Sequence, residues 1–251
     1  MTGAAEQFLR VQGADAAYST ASEVEGRAQG PGRRRFSRIL ASMGSILHLL
    51  LLAALVAGPT QVQHQHHPPR DAGEYARVLE DPARDEWQKP HEVIMALGLK
   101  PADTVADLGA GSGYFARRLA RHAAKVYAVD IDAKLLEILK KDAPANIETV
   151  LAPPDDPKLG PQSTDLVFIC DVLHHIENRA AYLPKLRTAL KPGGRVVNID
   201  FYKKDLPVGP PVSMKLSEEQ VIAEFKGAGF RLKRKLSFLP YQYFLEFEAE
   251  R

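Results

Sequence analysis

The sequence predicts an α/β protein: a doubly wound, mostly parallel seven-stranded sheet with a C-terminal antiparallel hairpin and helices on both faces. Three observations predict it. From about residue 71, short apolar runs alternate with helical patterns, as in parallel sheets built from crossover units. The run Asp165–Cys170 is continuously apolar after its first residue, as expected when helices cover both faces of a sheet. The last two strand-like runs, 231–238 and 241–249, are separated by Leu239-Pro240, and so short a turn joins only antiparallel neighbours.

The elements follow in order. Residues 85–97 read as a helix with Val93, Ile94 and Leu97 on its apolar face and Gly98 at its stop. Thr104–Leu108 is a first strand leading into a glycine loop, and a helix is expected over 114–122. Lys125–Asp130 is a second strand, 133–141 a helix, and Ile147–Leu151 a third strand. After the fourth strand, 165–170, a helix over 180–190 is stopped by Pro192-Gly193-Gly194. A fifth strand follows at 195–200. Ser217 is placed as the N-cap of a helix over 217–228, with Glu218, Glu219 and Gln220 in its first turn and Gly229 at its end. Arg231, Lys233 and Lys235 alternate along one strand face, as on a solvated edge.

The first 70 residues differ. Residues 1–32 are rich in Ala, Gly, Ser, Gln and Glu without sustained periodicity, a disordered tail by composition. Residues 33–58 form a signal-like or anchor segment. Arg33, Arg34, Arg35 and Arg38 precede an apolar run densest from Ile46 to Ala57, shorter than the roughly 20 residues of a membrane span and within the range of a secretory signal core. The Arg33-Arg34-Arg35-Phe36 stretch also fits a twin-arginine export signal. Residues 59–70, with His64, His66 and His67, read as a linker, and 71–251 as the folded domain. An exported or membrane-anchored protein follows, periplasmic-side, with membrane contact through residues 39–57; a cytoplasmic protein is the alternative.

The whole chain has 251 residues, 33 basic and 31 acidic, for a net charge of +2. That balance is no footprint for bulk nucleic-acid binding, so no nucleic-acid partner is expected. A single cysteine, Cys170, excludes an intramolecular disulfide.

The chemistry concentrates in V-A-D-L-G-A-G-S-G-Y-F, residues 105–115. Gly109, Gly111 and Gly113 let the backbone turn tightly and let a ligand approach closely, and free amides at a helix start favour an anionic group. Asp130, at the end of the second strand, is placed to accept hydrogen bonds from ribose hydroxyls. These parts suit an adenosine-containing cofactor. The dinucleotide fingerprint G-x-G-x-x-G is broken, because Tyr114 stands at its third glycine position.

The G-x-G-x-G spacing behind Asp107 resembles that of the class I S-adenosylmethionine-dependent methyltransferases. The resemblance covers roughly residues 85–249 in four ordered blocks: D-L-G-A-G-S-G at 107–113, Y-A-V-D-I-D at 127–132, S-T-D-L-V-F-I-C-D-V-L-H-H-I at 163–176 and L-K-P-G-G-R-V-V at 190–197. It implies S-adenosyl-L-methionine as cofactor. Asp107, Gly109, Gly111 and Gly113 would then hold the methionine end, Asp130 the ribose, and Ile131 would pack on adenine. Asp155 or Asp156 would stand near the adenine amino group, and Asp171 would face cofactor or substrate.

Methyl transfer from a sulfonium needs chiefly proximity and alignment, with a general base only for a protonated nucleophile. His174 and His175, just past the fourth strand, are the candidate catalytic residues, and no metal is expected. The resemblance implies that the helix before the first strand helps close the pocket, which singles out Trp87 and Gln88. The expected reaction is methyl transfer to a small-molecule or lipid acceptor. The rival readings are a non-catalytic S-adenosylmethionine-binding protein and a nicotinamide-dependent oxidoreductase.

Overall fold

The computed structural model describes residues 71–250. The tail, the signal-like segment and the linker expected over 1–32, 33–58 and 59–70 lie outside the described residues.

The described residues open with helix α1 (Ala72–Leu79), capped by the Asp71 carboxylate, which accepts the Glu74 N–H at 3.0 Å. A 3₁₀ turn (Pro82–Arg84) follows, with Asp81 as its cap. The helix expected over 85–97 is two helices, α2 (Asp85–Gln88) and α3 (Pro90–Leu97). Pro90 lacks an N–H and crowds the residue before it, so the helix cannot run on through Lys89, which stands at φ 44° where the chain restarts. Gly98, at φ 55°, ends α3 as expected.

Seven strands form one sheet: β1 (Thr104–Leu108), β2 (Lys125–Asp130), β3 (Ile147–Leu151), β4 (Thr164–Cys170), β5 (Leu190–Phe201), β6 (Phe230–Leu236) and β7 (Gln242–Ala249). Their order is β3-β2-β1-β4-β5-β7-β6. The first five are parallel, while β7 runs antiparallel to both β5 and β6, giving the expected closing hairpin. The connecting helices are α4 (Ala116–Leu119), α5 (Ala133–Lys140), α6 (Arg179–Ala189) and α7 (Glu218–Gly227). Two boundaries depart from expectation. Helix α4 is one turn rather than the nine residues of 114–122, and β5 begins at Leu190 because that residue pairs with Thr164 across a register shift.

Strand alternation sorts the core into two layers. Val105, Phe168, Val197, Ile199 and Phe244 face α3, α4 and α5 through Leu97, Leu119 and Leu139. Ala106, Val167, Ile169, Val196 and Phe247 face α6 and α7 through Leu183, Leu186, Val221 and Phe225. The β6 edge is charged: Arg231, Lys233 and Lys235 pair with Glu248, Glu246 and Glu218. Strand order reverses between β1 and β4, so the crevice at their C-terminal ends is where such a sheet places its ligands.

Candidate active site

The loop after β1 is held by backbone geometry. Gly109, Gly111 and Gly113 have φ of 71°, 55° and 104°, a region that side-chain-bearing residues rarely adopt. The neighbours also demand glycine: a Cβ at Gly109 would lie 2.2 Å from Val172 Cγ2, and one at Gly113 2.3 Å from Leu139 Cδ1. The Gly109 N–H donates to Val129 O at 2.8 Å, tying the loop to the end of β2. The Gly111 N–H donates to Asp130 Oδ2 at 2.7 Å, and the Asp132 N–H to Asp130 Oδ1 at 2.9 Å. Asp130 is therefore oriented by backbone donors, with further lone pairs left to accept a ribose. Burial raises its pKa.

Asp107 sits at the foot of the loop, buried, with Oδ2 unpartnered. Burial, and then the neighbouring Asp130 charge, push its pKa to about 8. A buried carboxylate oxygen without a donor is costly and marks a place for a cationic or hydrogen-bonding group.

Ile131 and Leu151 are 55% and 58% exposed, and both stand at the C-terminal edge, where Leu151 is the register partner of Asp130. Two exposed apolar side chains on adjacent strand ends suit one face of an aromatic base. The sequence singles out Ile131 and not Leu151, whose place beside it depends on the β2–β3 register. Asp155 and Asp156 lie in the turn that follows β3. Asp156 accepts the Lys158 N–H within its own turn at 2.8 Å, which lowers its pKa, and the Asp155 carbonyl accepts Lys185 Nζ.

The far side of the crevice is a network of buried side chains. Asp171 follows β4 at φ 59°, an uncommon conformation for a non-glycine residue. Its Oδ1 accepts the Gln242 amide, and its Oδ2 lies 3.4 Å from the Arg84 guanidinium. Burial pushes its pKa to about 7, against the lowering effect of Arg84. Gln88, fully buried, donates to Gln242 Oε1 at 2.6 Å and accepts from Arg84 Nε and from the guanidinium nitrogen facing Asp171. Trp87, its neighbour, packs on Phe201 at a centroid distance of 5.7 Å in an apolar cluster with Val78, Leu206, Val208 and Tyr241. The segment before β1 thus meets Asp171 and the start of β7 through Arg84 and Gln88. Arg84 and Gln242 were not anticipated, because neither carries a local motif.

The two histidines have different surroundings. His174 is in the 3₁₀ turn Leu173–His175, and its Nδ1 lies 2.9 and 3.0 Å from the two carboxylate oxygens of Asp200, both side chains fully buried. Nε2 of His174 has no partner. Burial alone would depress its pKa, but the charge and hydrogen bond of Asp200 carry it above the ordinary value. His175 is exposed, its ring centroid 4.1 Å from that of His174. Asp200, at the end of β5, is the partner that spacing alone did not assign to His174.

Comparison with known proteins finds methyltransferases over this region. Residues 106–198 match the family described as "Methyltransferase domain". A probable ribosomal RNA small subunit methyltransferase A from Methanosarcina mazei is 45% identical over 60 residues, covering 23% of this chain and 22% of that protein. A demethylmenaquinone methyltransferase from Tropheryma whipplei is 33% identical over 107 residues, covering 42% of this chain and 44% of that protein. The chain thus spans less than half the length of these curated relatives. Among solved structures, a SAM-dependent methyltransferase from Aquifex aeolicus superimposes with a TM-score of 0.66 at 26% identity, covering 71% of this chain and 98% of that one.

Proposed function

We propose that this chain, whose described residues have the class I S-adenosylmethionine-dependent methyltransferase fold, transfers a methyl group to a hydroxylated small-molecule acceptor of the quinol or phenol type. The residues present fit S-adenosylmethionine: the unpartnered buried oxygen of Asp107, the oriented carboxylate of Asp130 and the exposed Ile131–Leu151 pair line one edge. When bound, the cofactor supplies an electrophilic methyl group on a sulfonium whose leaving group is a neutral thioether.

The observation that carries the reading is the His174–Asp200 dyad beside the glycine loop, next to Val172, which packs on Gly109. Asp200 holds the Nδ1–H tautomer, so Nε2 presents a lone pair and accepts the acceptor's hydroxyl proton. The imidazolium that forms is stabilised by the Asp200 charge. Asp171 and Gln242 lock each other beside the dyad. Trp87, Phe201 and Tyr241 supply an apolar, aromatic cover suited to a flat ring. The quinone named for the Tropheryma whipplei relative supports this acceptor class.

The test is a panel of hydroquinones and catechols with labelled S-adenosylmethionine, read as labelled product. Transfer that depends on His174 is expected. Cofactor binding with no transfer to any hydroxylated ring would overturn the acceptor class and favour a binding protein without turnover.

The reading includes export of the domain, supported by the basic cluster before the apolar run of residues 46–57. Fractionation of cells expressing the full chain should find it in the envelope, and a wholly cytosolic protein would overturn that part.

A further inference from the structure

We propose that the ammonium of Lys215 receives a carboxylate carried by the acceptor ring, which makes the acceptor a hydroxylated aromatic acid rather than a neutral phenol. The inference rests on the hydroxylated-ring reading above and names one group that the ring carries beyond its hydroxyl.

Lys215 lies in the segment that leads from β5 into α7. That segment folds back onto the end of β5. Leu206 and Val208 join Phe201, Trp87 and Tyr241 in one apolar cluster, and a Cβ at Gly209 would come within 2.6 Å of the Phe201 ring. Lys215 Nζ lies 5.8 Å from the Phe201 ring centroid, and the Trp87 ring lies 5.7 Å from it. Phe201 follows Asp200, the partner of His174. The aromatic cover, the ammonium and the dyad therefore meet around the pair Asp200-Phe201.

A lysine ordinarily buries its stem and keeps its ammonium in water. Lys203 and Lys204, in the same segment, are exposed, whereas Lys215 is 2% exposed. Its Nζ donates to a neutral group, Lys204 O, at 2.9 Å. An ammonium has three donors, so capacity remains beyond that carbonyl. Asp205 and Asp200 act on it only through space. Asp205 is exposed, and the Asp200 oxygens are taken by His174 Nδ1 and the Phe201 N–H. A cation withdrawn from water against a neutral carbonyl is costly unless an anion meets it. A carboxylate on an aromatic ring lies in the ring plane. It reaches an ammonium at the ring's edge while aromatic side chains cover the faces, and it leaves the hydroxyl to His174. The competing account is that Lys215 only ties its segment to Lys204.

Calorimetry on the full chain with excess S-adenosylhomocysteine separates the accounts. The ligands are protocatechuate, a dihydroxylated benzoate, and its amide, which keeps the ring and both hydroxyls without the charge. The parent should bind the acid about 10- to 100-fold more tightly than the amide. Lys215→Met, which keeps an unbranched stem, should lower affinity for the acid by about that factor and for the amide less than about threefold. Equal affinities in the parent overturn the proposal and leave the hydroxylated-ring reading standing. So does a variant that loses both ligands equally, as a mere tie predicts, or that loses neither. A parent that binds neither ligand overturns the hydroxylated-ring reading, and the proposal with it. If Lys215→Met does not fold, the parent's preference for acid over amide decides alone.

Discussion

From Asp107 to Ile131, one side of the crevice comes from a nearly continuous stretch, and backbone groups hold it: the Gly109 and Gly111 amides anchor the loop to β2 and Asp130. The other side gathers Arg84, Gln88, Asp171, His174, Asp200 and Gln242 from distant parts of the chain and holds them by side-chain bonds in a buried setting. The first side tolerates little change in backbone shape. The second tolerates little change in charge or hydrogen bonding, because a buried polar group left unpaired costs more than an exposed one. Only the first leaves a compact motif.

Asp107 crosses that division, being a buried titratable acid on the backbone-held side, and it yields the largest expected effect. Its folded pKa of about 8 lies above the ordinary carboxylate value of 3.8, so the folded state holds a proton that the unfolded state releases. Stability is therefore lost progressively as pH rises from about 4 to about 8, by on the order of 5 kcal/mol. Asp107→Asn should remove that slope. Urea unfolding should find parent and variant similar near pH 4 and the variant more stable at pH 9; parallel pH profiles would show that Asp107 is solvated.

The side-chain half is broken at the dyad. His174→Gln should lower kcat about 10²- to 10⁴-fold while S-adenosylhomocysteine affinity stays within about twofold. Asp200→Asn should lower kcat in the same direction and move the acidic limb of the kcat–pH profile downward, since Asp200 raises the His174 pKa. An unmoved limb would separate Asp200 from catalysis.

Gly109→Ala probes the backbone half. A positive φ costs an L-residue about 1–2 kcal/mol, and the contact with Val172 adds to it, for about 2–4 kcal/mol in all. Gly98→Ala, at φ 55° with nothing within 4 Å of a Cβ, should cost only the strain. Equal unfolding midpoints for the two variants would show that the loop shifts to make room.

The smallest effects sharpen the adenine edge. Ile131→Ala and Leu151→Ala should change stability by under about 0.5 kcal/mol, because both side chains are exposed, yet weaken 5′-methylthioadenosine severalfold by calorimetry. Asp156→Ala should leave that affinity unchanged; a severalfold loss would bring the 155–156 turn into the site.

How much could be read from the sequence differs between the halves for the same reason. Asp107, the three glycines, Asp130 and Ile131 fall within one strand–loop–helix passage, where glycine spacing and strand ends are local properties. The strands and the closing hairpin were equally legible, because alternation and short turns act over a few residues. The split of 85–97 at Lys89 turned on Pro90, a local signal that the apolar periodicity of that stretch overshadowed. His174 and His175 were legible as a pair but not as different residues: what separates them is Asp200, brought from 26 positions away by the β4–β5 pairing.

By itself, the sequence determined the seven-stranded, mostly parallel sheet with its antiparallel hairpin and the glycine loop with its acidic partner, since both follow from periodicity and backbone freedom. Tertiary structure alone decided that His174 is the buried histidine, that Arg84 and Gln242 join Asp171, and that Leu151 stands beside Ile131. Those outcomes depend on strand register and long-range burial, which act between residues the sequence keeps far apart.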